Sequence, residues 1–563
     1  MHTDGRTIPN ETVIETDLLI IGAGPAGITL AAELAGSGIS VVLTESGDMK
    51  SSDEADSLSQ GRSVSGKFAA LDMYRRRVFG GASVIWGGRC VPYDPIDFEP
   101  RDYVPDSGWP FRRSELDPWY DKAAAYCEIG KADFDVRTSL PVPGAFIAGF
   151  ASEVVESTSF ERFSAPTNFG RKWGPTLAAA PNLKIITAAT CTRLVTTPDG
   201  TRVTQALFSS LADTRFVVRA KSFVVAGGGF ESFRLLAASN DVHAAGLGNT
   251  SDALGRHLMA HIEGGIAHLH LRDPATPVDW GFHVTPEGIY GRRRLTLSPE
   301  AQRRHELLNF MVRLHHPTAV DPRHGSAVLS MMFLAKQFIL PEYRRKITMI
   351  ERMVADSMPQ GLSFWGQHAW NLVRGAPGLS AFVTDWIVKR YLRYHRIPYV
   401  ALQSRAGIYP IDFNCEQIPN PDSRVVLTDE TDRFGMPVSL VDWRMAEQEV
   451  QSIARSLRVM RDAIGATGLA TLVFDDVRLE ELIREEAVPV GGHCIGLTRM
   501  SSDPRKGVVD GNLRLHDVPN AFVLSASSFP TSSHANPTFT LVAMATRLAG
   551  HLRAQGAGFA AAA

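Results

Sequence analysis

Apolar and polar positions fall along this chain in blocks that read as secondary structure. Residues 17–21 (DLLII) form a short apolar run closed by glycines, the pattern of a strand buried on both faces. Pro25 to about Leu34 reads as a helix and Val41 to Thr44 as a second strand, giving a β-α-β unit within roughly 30 residues. Residues 48–66 are polar and contain Gly and Ser, so they read as loop. Residues 74–92 mix glycines with arginines and aromatics, the composition of backbone lying close against a partner. Strand-like segments recur over 183–225, ending in Phe223-Val224-Val225 before three glycines. The alternation at 266–271 (IAHLHL) predicts a half-exposed antiparallel strand and hence a second architecture. Residues 424–428 and 438–443 read as a strand pair, and Pro537 to about Gln555 as one helix stopped by Gly556.

Composition narrows the classes. A chain of 563 residues predicts roughly three to four domain-sized units, and 44% hydrophobic with 21% charged residues is an ordinary globular mix. A formal charge of −2 gives no global attraction for nucleic acid. Five scattered cysteines without CxxC spacing argue against a disulfide framework and a thiolate zinc site, so no metal is expected. No signal-like N-terminus and no run of 18 or more apolar residues is found, which makes a reducing cytoplasm the expected location. The C-terminal GAGFAAAA is low in complexity and is assigned no function. Residues 331–400 stand apart: between Lys336 and Arg396 ten Lys/Arg face four Asp/Glu, interleaved with Trp365, Trp370 and Trp386. This reads either as a helical insertion with a solvated basic face or as a surface for acidic headgroups or a phosphorylated substrate, a peripheral membrane contact.

Gly22-Ala23-Gly24-Pro25-Ala26-Gly27 follows the first strand and opens the helix. In a dinucleotide site the first glycine makes the turn, the second admits the pyrophosphate, and the third lets helix pack on strand. The pyrophosphate then meets free N–H groups and the positive end of the helix dipole. Glu45 ends the second strand 18 residues after Gly27, where a carboxylate accepts ribose hydroxyls and repels a 2′-phosphate. The fingerprint alone does not separate FAD from NAD.

Other segments carry a family resemblance. Arg77-Val78-Phe79-Gly80-Gly81-Ala82-Ser83, Val224 to Ser232, Leu254-Gly255-Arg256-His257-Leu258-Met259-Ala260-His261, Glu416 to Pro421 with Arg424 to Leu427, His493 to Met500, GVVDGNLRLHDVPN and the ANPT of 535–538 occur in order. Together they make the chain resemble the glucose–methanol–choline (GMC) oxidoreductases, especially the branch containing pyranose 2-oxidase, outside roughly 272–400. The resemblance implies FAD and a fold of two parts. One is an α/β, Rossmann-like FAD domain on a parallel sheet, formed from 14–100, 160–262 and 485–563. The other is an α+β substrate domain on a largely antiparallel sheet with helices, from 101–159 and 263–484. Around the cofactor it implies Gly22, Gly24, Pro25, Ala26, Gly27, Glu45, Arg77, Gly80, Gly81, Ser83, Trp86, Cys191, Gly227, Ala526, Asn536, Pro537 and Thr538. Arg77 and Arg499 are each read as a cofactor contact or as the partner of an acid. Where covalently flavinylated relatives place a histidine this chain has Ile85, which has no nucleophile, so non-covalent FAD is expected. At Ser525-Ala526-Ser527 the chain also departs from the Asp of many relatives.

Oxidising an alcohol by hydride transfer requires removal of the O–H proton, and a histidine with near-neutral pKa is the usual base. By resemblance His493 is that base and Asn536 its partner. Taken alone, a single His in a glycine-rich loop such as His493 is more often a satisfied polar group, and Asn536-Pro537 reads as a helix N-cap and first helical position. His534, two residues before Asn536, is a second base, a substrate contact or a core histidine. If the helix after Asn536 points at the flavin pyrimidine, its dipole stabilises charge there. The expected activity is oxidation of a sugar, glycoside or polyol hydroxyl, with oxygen or another electron acceptor as the second partner. Oxidation of a steroid or lipid alcohol and a flavin-containing lyase are the alternatives.

Overall fold

The computed structural model describes residues 1–335 and 360–559. The strand Val13–Ile21 ends in four fully buried residues and pairs in parallel with Val41–Thr44 on one side and Arg215–Val225 on the other. Around this centre lies an eight-stranded sheet. Leu183–Thr187 and His2–Asp4 extend one side in parallel, Ala521–Val523 adds in parallel to Arg215–Val225, and Val203–Ser209 and Thr190–Thr196 close the edge antiparallel. The helix runs Pro25–Glu33, starting at the proline as expected. The C-terminal helix Pro537–Phe559 packs against it and against Arg113–Tyr126.

The second architecture is a seven-stranded sheet in the order Ala470–Val473, Ile262–Leu271, Ile408–Cys415, Phe310–Leu314, Leu295–Leu297, Val155–Glu156, with Val488–Pro489 paired beside Ile262. Every pairing in it is antiparallel. Register makes its two faces unlike. Ile262, Cys415 and Phe310 lie in one row and Phe413, Val312 and Leu295 in the next; all six belong to the buried apolar cluster that includes Ile453 and Leu457 of the helix Glu447–Ala466. On the opposite face lie Glu263, Asn414, Met311, Thr296 and Glu156 in one row and Asp412 with Arg313 in another.

Several expectations change. Residues 48–66 are not all loop: Asp53–Ser57 is a short helix capped by Ser52, and Gly61–Ser63 is a strand parallel to Pro437–Asp442. Thus the strand pair Arg424–Thr431 and Pro437–Asp442 gains a third member from the N-terminal part of the chain. Phe160–Phe163 pairs with Tyr290–Arg293 and with Arg89–Cys90, so a four-stranded sheet crosses the domain division drawn from the sequence. Gly556 does not stop the last helix, which continues to Phe559; an interior glycine costs only about 1 kcal/mol against alanine. In the basic insertion, Ala327–Leu334 and Leu362–Ile387 are helices, while residues 336–359, which hold half of its cations, lie outside the described residues. Among the described residues no helix is long and apolar enough to cross a membrane.

Candidate active site

The three fingerprint glycines are glycines for three different reasons. Gly22 has φ +109°, and a Cβ there would lie 2.5 Å from the Ala226 carbonyl oxygen. A Cβ on Gly27 would lie 2.0 Å from the Gly22 oxygen, so helix and strand pack only around a hydrogen. Gly24 has an ordinary extended backbone, and a Cβ on it would meet no protein atom within 4 Å. Protein packing therefore does not require glycine at 24. Glycine there leaves the backbone open to the approach of a ligand, at a helix N-terminus with no side-chain cap. Glu45, buried, fastens this loop by accepting from Ala23 N at 3.0 Å and Gly47 N at 2.9 Å. Burial raises its pKa, and those two amides act against the rise.

Gly24 opens on a cavity with about 1610 Å³ of empty space, its mouth included. Of the residues expected at the cofactor, all but Gly27, Gly80 and Asn536 line it. Gly27 and Gly80 sit behind the lining: Gly80 has φ +109°, and a Cβ there would crowd Asn168 Oδ1 at 3.0 Å. Arg77 pairs with an acid, donating to Glu231 Oε2 at 2.6 Å, and also lines the cavity. Arg499 lies away from the lining, with Nη1 3.1 Å from the Pro530 oxygen and Nη2 on the Asp106 carbonyl; burial lowers its pKa to about 10. Ser83 Oγ donates to Gly80 O at 2.6 Å and Trp86 Nε1 to Thr167 O at 2.8 Å, which ties the second glycine stretch down. Ile85 beside them is 43% exposed. Sequence reading missed Arg75, Gly491, Gly492 and Cys494 in the lining. The two glycines directly before His493 were the available signal. The lining fits FAD in its loop, its acid and its uncapped helix end.

The catalytic candidates meet at one end of this cavity, next to the lining residues Gly492, Cys494 and Pro537. Gly496, at φ +91°, allows the chain to turn so tightly that a Cβ would sit 1.9 Å from the His257 oxygen. That turn lets Ile495 bridge antiparallel to Met259, with N–H···O distances of 2.9 and 3.0 Å in the two directions. Two residues outward on each side of an antiparallel bridge, His261 and His493 stand opposed. Their Nδ1 atoms are 2.9 Å apart and their rings are edge to face, with centroids 4.7 Å apart. On the other side of the ring, Asn536 Nδ2 is 3.1 Å from His493 Nε2. Burial, then the neighbouring His261 and Arg89, hold the His493 pKa well below the ordinary histidine value. For His261, fully buried with Nε2 3.0 Å from the Ser532 carbonyl oxygen, burial lowers it to about 3.

His534 is placed differently. Its ring is engaged on both nitrogens, Nε2 with Asp94 Oδ2 at 3.0 Å and Nδ1 with Arg294 Nη1 at 3.2 Å. A guanidinium only donates, so Nδ1 is the acceptor and Nε2–H points at the carboxylate. Burial and then Arg294 lower its pKa, with Asp94 opposing.

Family models carry the same reading across the chain. Residues 156–263 and 419–545 match models described as GMC oxidoreductase, and residues 15–62 match an FAD binding domain. Paromamine 6′-oxidase of Streptomyces fradiae is 24% identical over 97% of this chain and 93% of its own length. The fructose dehydrogenase large subunit of Gluconobacter japonicus is 23% identical over 96% and 98%. The crystal structure of pyridoxine 4-oxidase from Mesorbium loti superposes with a TM-score of 0.53, at 17% identity over 95% of this chain and 99% of that one, and shows the same fold. Both GMC oxidoreductase matches contribute strands to the sheet that carries the glycine fingerprint, so the chain holds the N- and C-terminal domains of GMC oxidoreductases over these residues and is an FAD-binding oxidoreductase.

Proposed function

We propose that the protein oxidises a hydroxyl group of a sugar, glycoside or polyol to a carbonyl. His493 Nε2 takes the hydroxyl proton, and FAD, when bound, supplies the acceptor for the hydride. The observation that carries this reading is the convergence of His493 Nε2 and Asn536 Nδ2 at 3.1 Å beside the cofactor cavity. A substrate hydroxyl that displaces this contact and lies within reach of both meets a lone pair for its proton and an N–H for the charge that develops as the proton leaves. His534 is not used: both its nitrogens are occupied by Asp94 and Arg294, and it braces the loop that presents Asn536.

The charged face of the seven-stranded sheet favours a hydroxyl-rich substrate over a steroid or lipid. Arg313 is only 3% and Asn414 2% exposed, and Glu263 on that face follows two residues after His261, whose Nδ1 is 2.9 Å from His493 Nδ1. Arg292 Nη1, Arg313 Nη1 and the Tyr399 hydroxyl are buried with no hydrogen-bond partner among the described residues. Each such donor costs about 1–3 kcal/mol until something accepts from it, which sugar oxygens do and hydrocarbon does not. The relatives named for paromamine and fructose agree with this class. Anaerobic mixing of the yellow holoenzyme with sugars, glycosides, polyols and sterols tests it. Bleaching of the flavin by the polar alcohols is expected; bleaching by sterols alone, or product formed with the flavin still oxidised, overturns it in favour of a lipid substrate or a lyase.

A further inference from the structure

We propose that His261 is a positioning residue for His493: it fixes the His493 ring in the Nδ1–H tautomer and accepts from that N–H when Nε2 becomes protonated. The inference rests on His493 being the base and adds how that base is kept ready.

The direction of the hydrogen bonds follows from the one group in the chain whose role cannot change. The Ser532 carbonyl oxygen only accepts, so His261 Nε2, 3.0 Å away, carries a hydrogen. The His261 ring is completely buried, and a neutral imidazole protonated at Nε2 has a lone pair at Nδ1. The proton in the 2.9 Å gap between the two Nδ1 atoms therefore belongs to His493. His493, neutral in turn, has its lone pair at Nε2, toward which the Asn536 amide donates at 3.1 Å. Flipping His493 alone would set two lone pairs face to face at 2.9 Å, and flipping both rings would turn the His261 Nε2 lone pair toward the Ser532 carbonyl and the His493 Nε2–H toward the Asn536 amide N–H. The unique assignment runs Asn536 N–H to His493 Nε2, His493 Nδ1–H to His261 Nδ1, and His261 Nε2–H to Ser532 O.

The same chain answers how a part-buried imidazole with a charged neighbour accepts a proton at all. Burial lowers the pKa of both rings, with Arg89 acting on each and His534 on His261, so the surroundings disfavour an imidazolium. When the substrate O–H bond breaks and an Nε2–H bond forms, the positive charge spreads over the His493 ring. Its Nδ1–H bond to the neutral His261 then becomes charge-assisted, roughly twice as strong as before. The Asn536 amide also loses its acceptor at Nε2, because two N–H groups cannot face one another, and is free to donate to the substrate oxygen that has just lost its proton. The proton stays on His493. Its electron pair remains with the oxygen, and the carbon–hydrogen pair leaves to the flavin.

The test uses the FAD-loaded enzyme. Nitrogen-15 NMR of histidine-labelled protein, with the His493 signals assigned by their loss in His493→Gln, reads the tautomer directly. Protonated Nδ1 and bare Nε2 are expected; the reverse overturns the proposal whatever the activity. In His261→Phe, which retains ring bulk and removes both hydrogen bonds, kcat for flavin reduction should fall on the order of 10²-fold with KM nearly unchanged, the lower end of what a positioned base contributes. His261→Asn, which offers a carbonyl oxygen to Nδ1–H, should recover most of that loss. An unchanged kcat in a folded, flavin-loaded His261→Phe, or equal losses in Phe and Asn variants, refutes the role. If His261→Phe does not fold, the wild-type tautomer and the Asn variant still decide. Undiminished reduction by His493→Gln would instead sink the base assignment and leave the tautomer measurement standing.

Discussion

In the eight-stranded sheet the central strands are apolar on both faces: Leu19, Ile20, Leu43, Val224 and Val225 are all at most 1% exposed. In the seven-stranded sheet one face matches that, with Phe310, Val312 and Phe413 fully buried, while the other face holds Glu263, Asp412, Arg313 and Asn414. A sheet covered on both faces contributes chemistry only where its strands end, which is where Gly22, Glu45 and the Ala226 turn meet the cofactor cavity. A sheet with one polar face contributes chemistry along its strands, at side chains spaced by the pleat. On the proposed function, cofactor choice is written at strand ends in glycines, and substrate choice across a surface in charges. The His261–His493 contact joins the two, since one ring precedes the substrate strand Ile262–Leu271 and the other precedes the turn at Gly496.

The largest expected effect breaks the junction and leaves both sheets intact. His493→Gln should lower the rate of anaerobic flavin reduction by about 10²–10⁴-fold while the protein stays yellow and folded. Loss of flavin instead would show that the residue serves the cofactor end. Next come two single-methyl changes a few residues apart. Gly24→Ala adds a Cβ that meets only the cavity, so the apoprotein should melt unchanged while FAD affinity drops roughly 10–100-fold. Gly27→Ala adds a Cβ 2.0 Å from the Gly22 oxygen and should destabilise the fold itself, by about 1–3 kcal/mol or more. Equal effects in titrations of FAD into the two apoproteins would undo the division of labour among the glycines. With Ile85 at the linkage position, acid precipitation of the holoenzyme should release the flavin into the supernatant.

That division also explains what could be read in advance. The strand end, the helix start at Pro25 and the acid at Glu45 are local, separated by a few residues whose roles follow from backbone geometry, and they stand where the spacing predicts. The strand Ile262–Leu271 announced itself by alternation. Its polar face did not, because Glu263, Asp412 and Arg313 belong to three strands and gain meaning only from register. His261 lies in the family-like run 254–261, which by itself assigns it no role, since its contact with His493 comes from the Met259–Ile495 bridge, a pairing across more than two hundred residues. His534 is the complementary case. Spacing of two from Asn536 suggested a shared side, but Asp94, 440 positions earlier, and Arg294 hold its ring.

The smallest effect tests the charged face directly. Glu263 has its pKa raised to about 7, by burial first and then by Asp412 beside it, with Arg89 pulling the other way. Below pH 7 it keeps its proton and donates to a substrate oxygen; above, it loses that hydrogen and adds a second negative charge next to Asp412. KM for a polyol substrate should therefore rise as pH passes through 7, by about fivefold if one neutral hydrogen bond of about 1 kcal/mol is lost, while kcat at saturation stays level. Stability carries the same sign. A carboxyl whose folded pKa lies above its ordinary value favours the fold while protonated, so thermal stability declines as pH rises through that range. Glu263→Gln keeps a donor at every pH and should flatten both curves together. If the KM limb survives in that variant, the titration belongs to another group, and replacing Asp97 by Asn or Glu449 by Gln, both raised to about 8 by burial first, should then remove it. A limb removed by none of these substitutions would mean that the charged face does not touch the substrate, and the contrast between the two sheets would reduce to one of packing.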